Sequence, residues 1–503
     1  MGKRKYPVRL EELAFIEVCQ MVREAGVNWT RRLRSAAVTS QSSWLQEIES
    51  VEEECVLVRT HLASLPVPLV SEVIIHNAVK KFIKLVEHYH YHDPRPLISR
   101  VFDRQVHEGV CGNMMKAVLL PCISTCDVGV TKSCFVQGLL MKLLYAIPNI
   151  KTLILPPLTR PRCLQLLVER FQILTHLENF YFPKGCTTEI IIQLSEYCPH
   201  MKKISVQSST RVDDGSVEHL LKMRNLLSLN IAGTAISDNS YAALLSGLPE
   251  IRDVIWFGQI EPVLGNLTAC LPSVVAFLGV ISNAKLFVQK CPNITHMFLY
   301  YPSKDISHLG QFKNVVSISI RNCSYTEIRF SDVIKRLGRG VEYLGTHRVD
   351  NIILDDVINY CTGLRSLSIN FSEVTSTEMF HPELPHFQNL EKLEIKVNWG
   401  AFSFCSVLHL YVNLKVVHFV GMEQITNTVI RQIVAAGGFR NLTDFVVQYC
   451  GYVTMETALF LMQKCPNLTK IGNIGSWSHV TEDQVVTFLN TVRHNNVCLT
   501  LDT

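Results

Sequence analysis

The sequence predicts an α/β solenoid, with short parallel strands on a concave face and helices on a convex face, behind a helical N-terminal region. Three observations carry that prediction. An apolar-x-x-apolar-x-apolar pattern recurs in fourteen units from Ile150 to Leu468, with steps of 20 to 28 residues averaging about 24.5. Three places beyond the last apolar residue of a unit stands a small hydrogen-bonding group: Ser209, Thr234, Cys323, Ser372, Asn398 and Cys450. Cysteines at 198, 291, 361 and 465 close units just before the next one begins.

Composition bounds the function. With 503 residues, 48% hydrophobic and 18% charged, the chain is long and apolar enough to fold around an extended core. Lys plus Arg number 48 against 44 for Asp plus Glu, a net charge of +4 without long runs of one sign, which points away from a nucleic-acid or membrane partner. The opening MGKRKYPVRLEEL has no apolar stretch after its charges, so no secretory signal is expected, and no transmembrane helix is visible. Tyr6 stands where a myristoylation signal needs Ser or Thr. The expected location is cytoplasmic, nuclear or both, and the seventeen cysteines are expected as thiols rather than a disulfide framework.

In chain order, residues 8–24 space Leu10, Leu13, Ala14, Val18 and Val22 as the apolar stripe of a helix. The polar patch 39–43 separates it from a second helical run, Trp44 to His61. Pro66 and Pro68 then punctuate the chain, and Leu69, Val73 and Ile74 begin a new stripe. Residues 1–80 are thus expected as a helical region, 81–146 as a helical transition or cap, and 147–503 as the repeat domain.

The units begin at Ile150, Leu177, Met201, Leu226, Ile251, Val274, Ile294, Val315, Val341, Leu364, Leu390, Leu414, Leu442 and Leu468; those at Val274 and Val341 match least well. Alternate strand residues such as Leu226, Leu229 and Ile231 are expected to point inward. After the bend comes an apolar residue with a helix-capping one: Val212-Asp213, Ile236-Ser237, Val374-Thr375, Ile425-Thr426, Val453-Thr454 and Val480-Thr481. Thr481 with Gln484 has capping-box spacing.

The bend cysteine, the Val/Ile-Thr turn and the Cys-Pro-x-apolar closure together resemble the cysteine-containing leucine-rich repeats of F-box/LRR proteins, over roughly residues 147–495. The resemblance implies a ribonuclease-inhibitor-like solenoid whose repeats present a protein substrate to a cullin ubiquitin ligase through an N-terminal adaptor-docking segment. Leu65-Pro66, Leu69 and Val73-Ile74 are similar to the opening of an F-box, which would dock a Skp-type adaptor. Pro68 replaces the acidic residue usual there, and the Trp-containing second half is not recognisable in residues 80–105. A competing reading takes residues 9–18 as similar to an elongin-binding BC-box, with Ala14 in the position of its Cys, and Leu65-Pro66-Val67-Pro68 as a downstream cullin box. The plain alternative makes both segments ordinary helices that pack on the first repeats, and the functional alternative is a ligase-independent scaffold or stoichiometric inhibitor.

Catalysis, cofactors and metals are not indicated. His88 and His92 have chelating spacing but no zincin Glu, and Cys122, Cys126 and Cys134 lack paired spacing, so a solvated helix end and structural thiols are expected. The sequons at Asn266, Asn293, Asn322, Asn370, Asn441 and Asn467 mostly coincide with repeat positions. The expected partner surface is the concave face, whose outward positions include Ile255, Phe257, Phe298, Tyr300, Ser319, Arg321, Ser368, Asn370, Glu394 and Lys396. Its aromatic residues beside a charged rim suit a protein hot spot, unless a loop or tail covers them.

Overall fold

The computed structural model describes residues 10–64, 73–91, 102–157, 161–375, 388–397, 408–478, 480–494 and 499–501. The chain divides into two compact units, Val8–Ile251 and Arg252–Thr503.

The first unit opens with four helices: α1 (Leu10–Thr39), α2 (Gln41–Ser64), α3 (Val73–Tyr91) and α4 (Phe102–Val118). The expected polar patch contracts to Ser40, whose hydroxyl accepts from Ser43 N at 3.1 Å and starts α2. α1 packs on α2 and α3, and α4 on α2 and α3, around buried Trp29, Leu33, Trp44, Val51, Phe82, Val86 and Met114. Trp29 Nε1 donates to Glu54 at 2.8 Å and Arg32 bridges Glu47 and Glu54, so the polar atoms at this packing find partners.

Five strands follow in this unit: β1 (Thr125–Asp127), β2 (Thr152–Ile154), β3 (Asn179–Tyr181), β4 (Lys203–Ser205) and β5 (Ser228–Asn230). All pair in parallel and in sequence order. β1 stands outside the counted series. Its turn follows the same pattern as Ile123, Cys126 and Val128, with a cysteine in the middle apolar place, and all three are buried.

In the second unit β6 (Asp253–Gln259), β7 (Ala276–Val280), β8 (His296–Tyr300), β9 (Ser317–Ser324) and β10 (Tyr343–Asp350) likewise pair in parallel and in sequence order. Beyond the short β11 (Ile352–Ile353) come β12 (Ser366–Asn370), β13 (Val374–Thr375), β14 (Lys392–Lys396), β15 (Val416–Val420), β16 (Asp444–Gln448), β17 (Lys470–Gly472) and β18 (Thr500–Leu501). β11 and β13 pair in parallel as a separate two-stranded sheet. Each unit of the chain is therefore an α/β leucine-rich-repeat solenoid, the first carrying the helical N-terminal region.

All fourteen first residues of the counted units are buried, and each is followed two residues later by the first residue of a strand. The two weakest matches have local causes. In the Val274 unit the third apolar place is Gly279, where a Cβ would meet Trp256 O at 2.2 Å because β6 shifts register between Trp256 and Gln259. In the Val341 unit it is Thr346, buried at 3% exposure and accepting a 3.4 Å hydrogen bond from Ser372 Oγ.

Successive turns are bound by a repeated main-chain device. The carbonyl one residue into a unit accepts two N–H groups of the next turn: Lys151 O from Glu178 and Asn179, and Glu342 O from Arg365 and Ser366, all at 2.8–2.9 Å. Seven places into a unit the backbone is left-handed, at Lys184, Ser208, Gly233, Tyr301, Asn322, Arg348, Phe371, Gly421 and Tyr449. That reversal turns the chain from strand to bend. The small group after it then acts as expected: Ser209 Oγ donates to Phe182 O at 3.3 Å and accepts from Cys186 N at 3.2 Å, both in the preceding turn. Cys450 Sγ donates to Phe419 O at 3.5 Å. Asn398 lies outside the described residues.

Of the capping positions, Asp213, Ser237 and Thr426 accept from the first-turn amides of their own helices. Thr481 and Gln484 exchange bonds of 3.2 and 3.3 Å as a capping box. Val374-Thr375 is instead the strand β13, because Ile352–Ile353 offers it a backbone partner. Thr454 makes no side-chain cap; Asn427 of the preceding turn accepts from Thr454 N at 3.0 Å and from the Thr457 hydroxyl at 2.6 Å.

Candidate protein-binding face

Across β7 to β10, β12 and β14 to β16, the strand residues before the bend that point inward are buried, and those on the open face are half-buried or exposed except Ser319, Gly345 and Ser368, which are buried. Strand register sorts these into rows. One row runs Ile255, Leu278, Phe298, Ser319, Gly345, Ser368, Glu394 and His418 across β6 to β15. The next runs Tyr300, Arg321, His347, Asn370 and Lys396 across β8 to β14.

At one end lies an aromatic cluster. Phe298 and Tyr300 have ring centroids 4.8 Å apart, and Phe257 meets Tyr300 edge-on at 5.9 Å. The Arg321 guanidinium lies 4.7 Å from the Phe298 centroid and 5.8 Å from that of Tyr300. Phe257, lifted by the irregularity in β6, is 43% exposed. A groove of about 300 Å³ opens beside the cluster, lined by Ile255, Leu278, His296, Phe298, Ser319 and Tyr343 among others.

Small residues keep the middle of the face low. A Cβ on Gly345 would meet the Tyr343 hydroxyl at 2.8 Å and Ser319 Oγ at 3.2 Å, so the Tyr343 side chain can lie across its own strand only because Gly345 has none.

The charged end is internally compensated. Lys396 Nζ sits 2.7 Å from Glu394 and Lys392 3.8 Å. Burial alone would raise the Glu394 carboxyl, but the Lys396 hydrogen bond and charge, with His418 and Lys392, hold it below the usual carboxylate range. His347 titrates below its ordinary value, first because it is desolvated and then because Arg321, Arg348 and Lys396 add positive charge around it. Arg321 is paired with no carboxylate among the described residues.

The structure thus brings Ile255, Phe257, Phe298, Tyr300 and Arg321 into one cluster, with Asn370, Glu394 and Lys396 on the neighbouring strands. Sequence reasoning missed Tyr343 and His347 because Thr346 obscured their unit. The offset that selected the other outward residues would have selected Gly345 and His347. It also missed the exposed aromatics Tyr301 and Phe371, which occupy left-handed backbone just past the strands.

At the other candidate locus, Leu10, Leu13 and Ala14 lie on α1, and Val73 and Ile74 open α3. Their side chains, and all of Leu65, Pro66 and Leu69, fall outside the described residues. Elsewhere, His90 Nδ1 stands 3.2 Å from His107 Nε2, and burial pushes the Cys126 thiol up to about 12. No group of three or more metal-ligating side chains is placed to hold an ion among the described residues, and no described helix is long and apolar enough to cross a membrane.

The arrangement defines a leucine-rich-repeat chain with an open, aromatic and cationic strand face. No family model matches the sequence, and no curated protein matches it. Among solved structures it is similar to the complex of Rad7 and Elc1 in yeast, with a TM-score of 0.40 and 15% identity over 81% of this chain and 98% of that one. It is also similar to the LRIM1/APL1C complex, with a TM-score of 0.25 and 11% identity over 66% of this chain and 53% of that one.

Proposed function

We propose that the protein is a non-catalytic substrate receptor of a cullin-type ubiquitin ligase, in which the open strand face of the repeats selects a protein substrate and residues 8–80 dock a Skp-type or elongin adaptor. The observation that carries the reading is the cluster of Phe257, Phe298, Tyr300 and Arg321, an aromatic and arginine surface of the composition that dominates protein interfaces. The adaptor half rests on the sequence of the N-terminal segment, where Leu10, Leu13 and Ala14 share a helix and Leu65, Pro66, Leu69, Val73 and Ile74 resemble a docking motif.

Affinity capture of the intact chain beside a Leu65→Ala/Leu69→Ala variant, with mass spectrometry of the captured proteins, tests it. A Skp-type or elongin adaptor with a cullin is expected with the intact chain and lost with the variant. Capture of neither overturns the ligase reading and leaves a ligase-independent repeat scaffold or stoichiometric inhibitor.

A further inference from the structure

Three side chains in one row of the open face each keep a buried polar atom with no hydrogen-bond partner among the described residues: Arg321 Nε, His347 Nδ1 and Asn370 Oδ1. They are register partners on adjacent strands, Arg321 opposite His347 and His347 opposite Asn370. Strand spacing sets them about 5 Å apart, so the three span about 10 Å, the length of three residues of extended peptide. A buried polar group left unpaired is destabilising, and three in register are a concentrated deficit.

The chemistry of the three atoms selects the occupant. Arg321 offers a donor with a full charge and no carboxylate among the described residues to receive it; Glu394, the acid of the adjoining row, is engaged by Lys396 at 2.7 Å. Arg348, beside His347, adds a second charge that forms no ion pair among the described residues. Asn370 contributes an acceptor, because its amide nitrogen already donates to Ser368 Oγ at 2.8 Å. Chloride or sulfate has no proton to give that oxygen, whereas a peptide has main-chain N–H groups as well as carboxylates. Next to the row, Phe298, Tyr343 and the groove of about 300 Å³ provide an apolar place for a large side chain.

We propose that Arg321, His347 and Asn370 form the specificity-determining seat for an acidic residue of an extended peptide laid across β9, β10 and β12, with a neighbouring large apolar side chain of that peptide in the groove beside Phe298 and Tyr343. The inference deepens the receptor reading, on which it rests, by naming the class of segment the face selects. The uncompensated charge of Arg321 over two aromatic rings supplies the complementarity, and the unmet amide oxygen of Asn370 supplies the preference for a peptide.

Affinity selection from a random dodecapeptide display library on the full-length chain, beside Arg321→Gln and Arg321→Glu, tests the seat. The unaltered chain should enrich peptides carrying Asp or Glu within two places of an aromatic or large aliphatic residue. A synthetic peptide from that pool should bind Arg321→Gln about tenfold or more weaker, at an unchanged melting temperature. Arg321→Glu should enrich Lys or Arg instead, a reversal that a misfolded face cannot produce. Absence of enrichment, a pool indifferent to acidic residues, or equal binding to Arg321→Gln would each overturn the seat. If the adaptor is still captured, the receptor reading survives that failure, and loss of the adaptor with peptide selectivity intact removes the receptor reading alone.

Discussion

Leu229 is 1% exposed in β5, opposite buried Ile204. Leu229→Ala should destabilise the first unit by about 2–5 kcal/mol, read as a lowered midpoint in denaturant melts. Phe257→Ala with Tyr300→Ala should leave the melt unchanged while weakening capture of a protein partner several-fold, because both rings belong to the open face. His347 gives a pH dependence. Its folded value lies below the ordinary 6.5, so the unfolded chain binds the proton first, and the fold loses stability as pH falls through and below 6.5. His347→Gln should remove part of that acid sensitivity, checked by denaturant melts at pH 7.5 and 5.5. The outward residues Phe298, Tyr300 and Arg321 were legible because the strand period alone assigns them to the open face. The unmet Arg321, His347 and Asn370 atoms were not, since whether a polar atom finds a partner depends on strands far apart in sequence.

At the scale of the element, the repeat period was legible from Ile150 onward because burial of one residue per turn imposes it, and every counted unit starts on a buried residue, whereas the β1 turn escaped because a cysteine, Cys126, fills its middle apolar place. The caps were legible only where a helix caps itself. For Met455–Lys464 the entry is held instead by Asn427 in the preceding turn, which accepts from Thr454 N and the Thr457 hydroxyl, and no spacing within the helix announces that. Asn427→Ala should therefore cost about 0.5–2 kcal/mol, whereas Thr454→Ala, whose hydroxyl caps nothing in its own helix, should cost less; paired melts of the two variants check the order. Tyr301, Phe371 and Tyr449 hold bulky side chains in left-handed backbone, a costly conformation that recurs where the strands end in exposed rings.

Across the whole chain, the thiols divide by position in the turn. Cys198, Cys291, Cys361 and Cys465 each end a helix and are at most 1% exposed. Burial pushes the first three up to about 12 and Cys465 up to about 11, so none is a thiolate at neutral pH. Among the described cysteines, native alkylation should modify exposed Cys270 first and reach the closing cysteines only on unfolding, as peptide mass mapping would show. The carbonyls that accept two N–H groups carry a different consequence. Each joins one turn only to the next, and their hydrogen bonds run along the stacking direction rather than along the strands. Tension applied along a stack therefore loads few bonds at once. Within each unit the chain should pay out turn by turn, about 80 Å of slack for every 24 or so residues released, making it an extensible tether rather than a brittle rod.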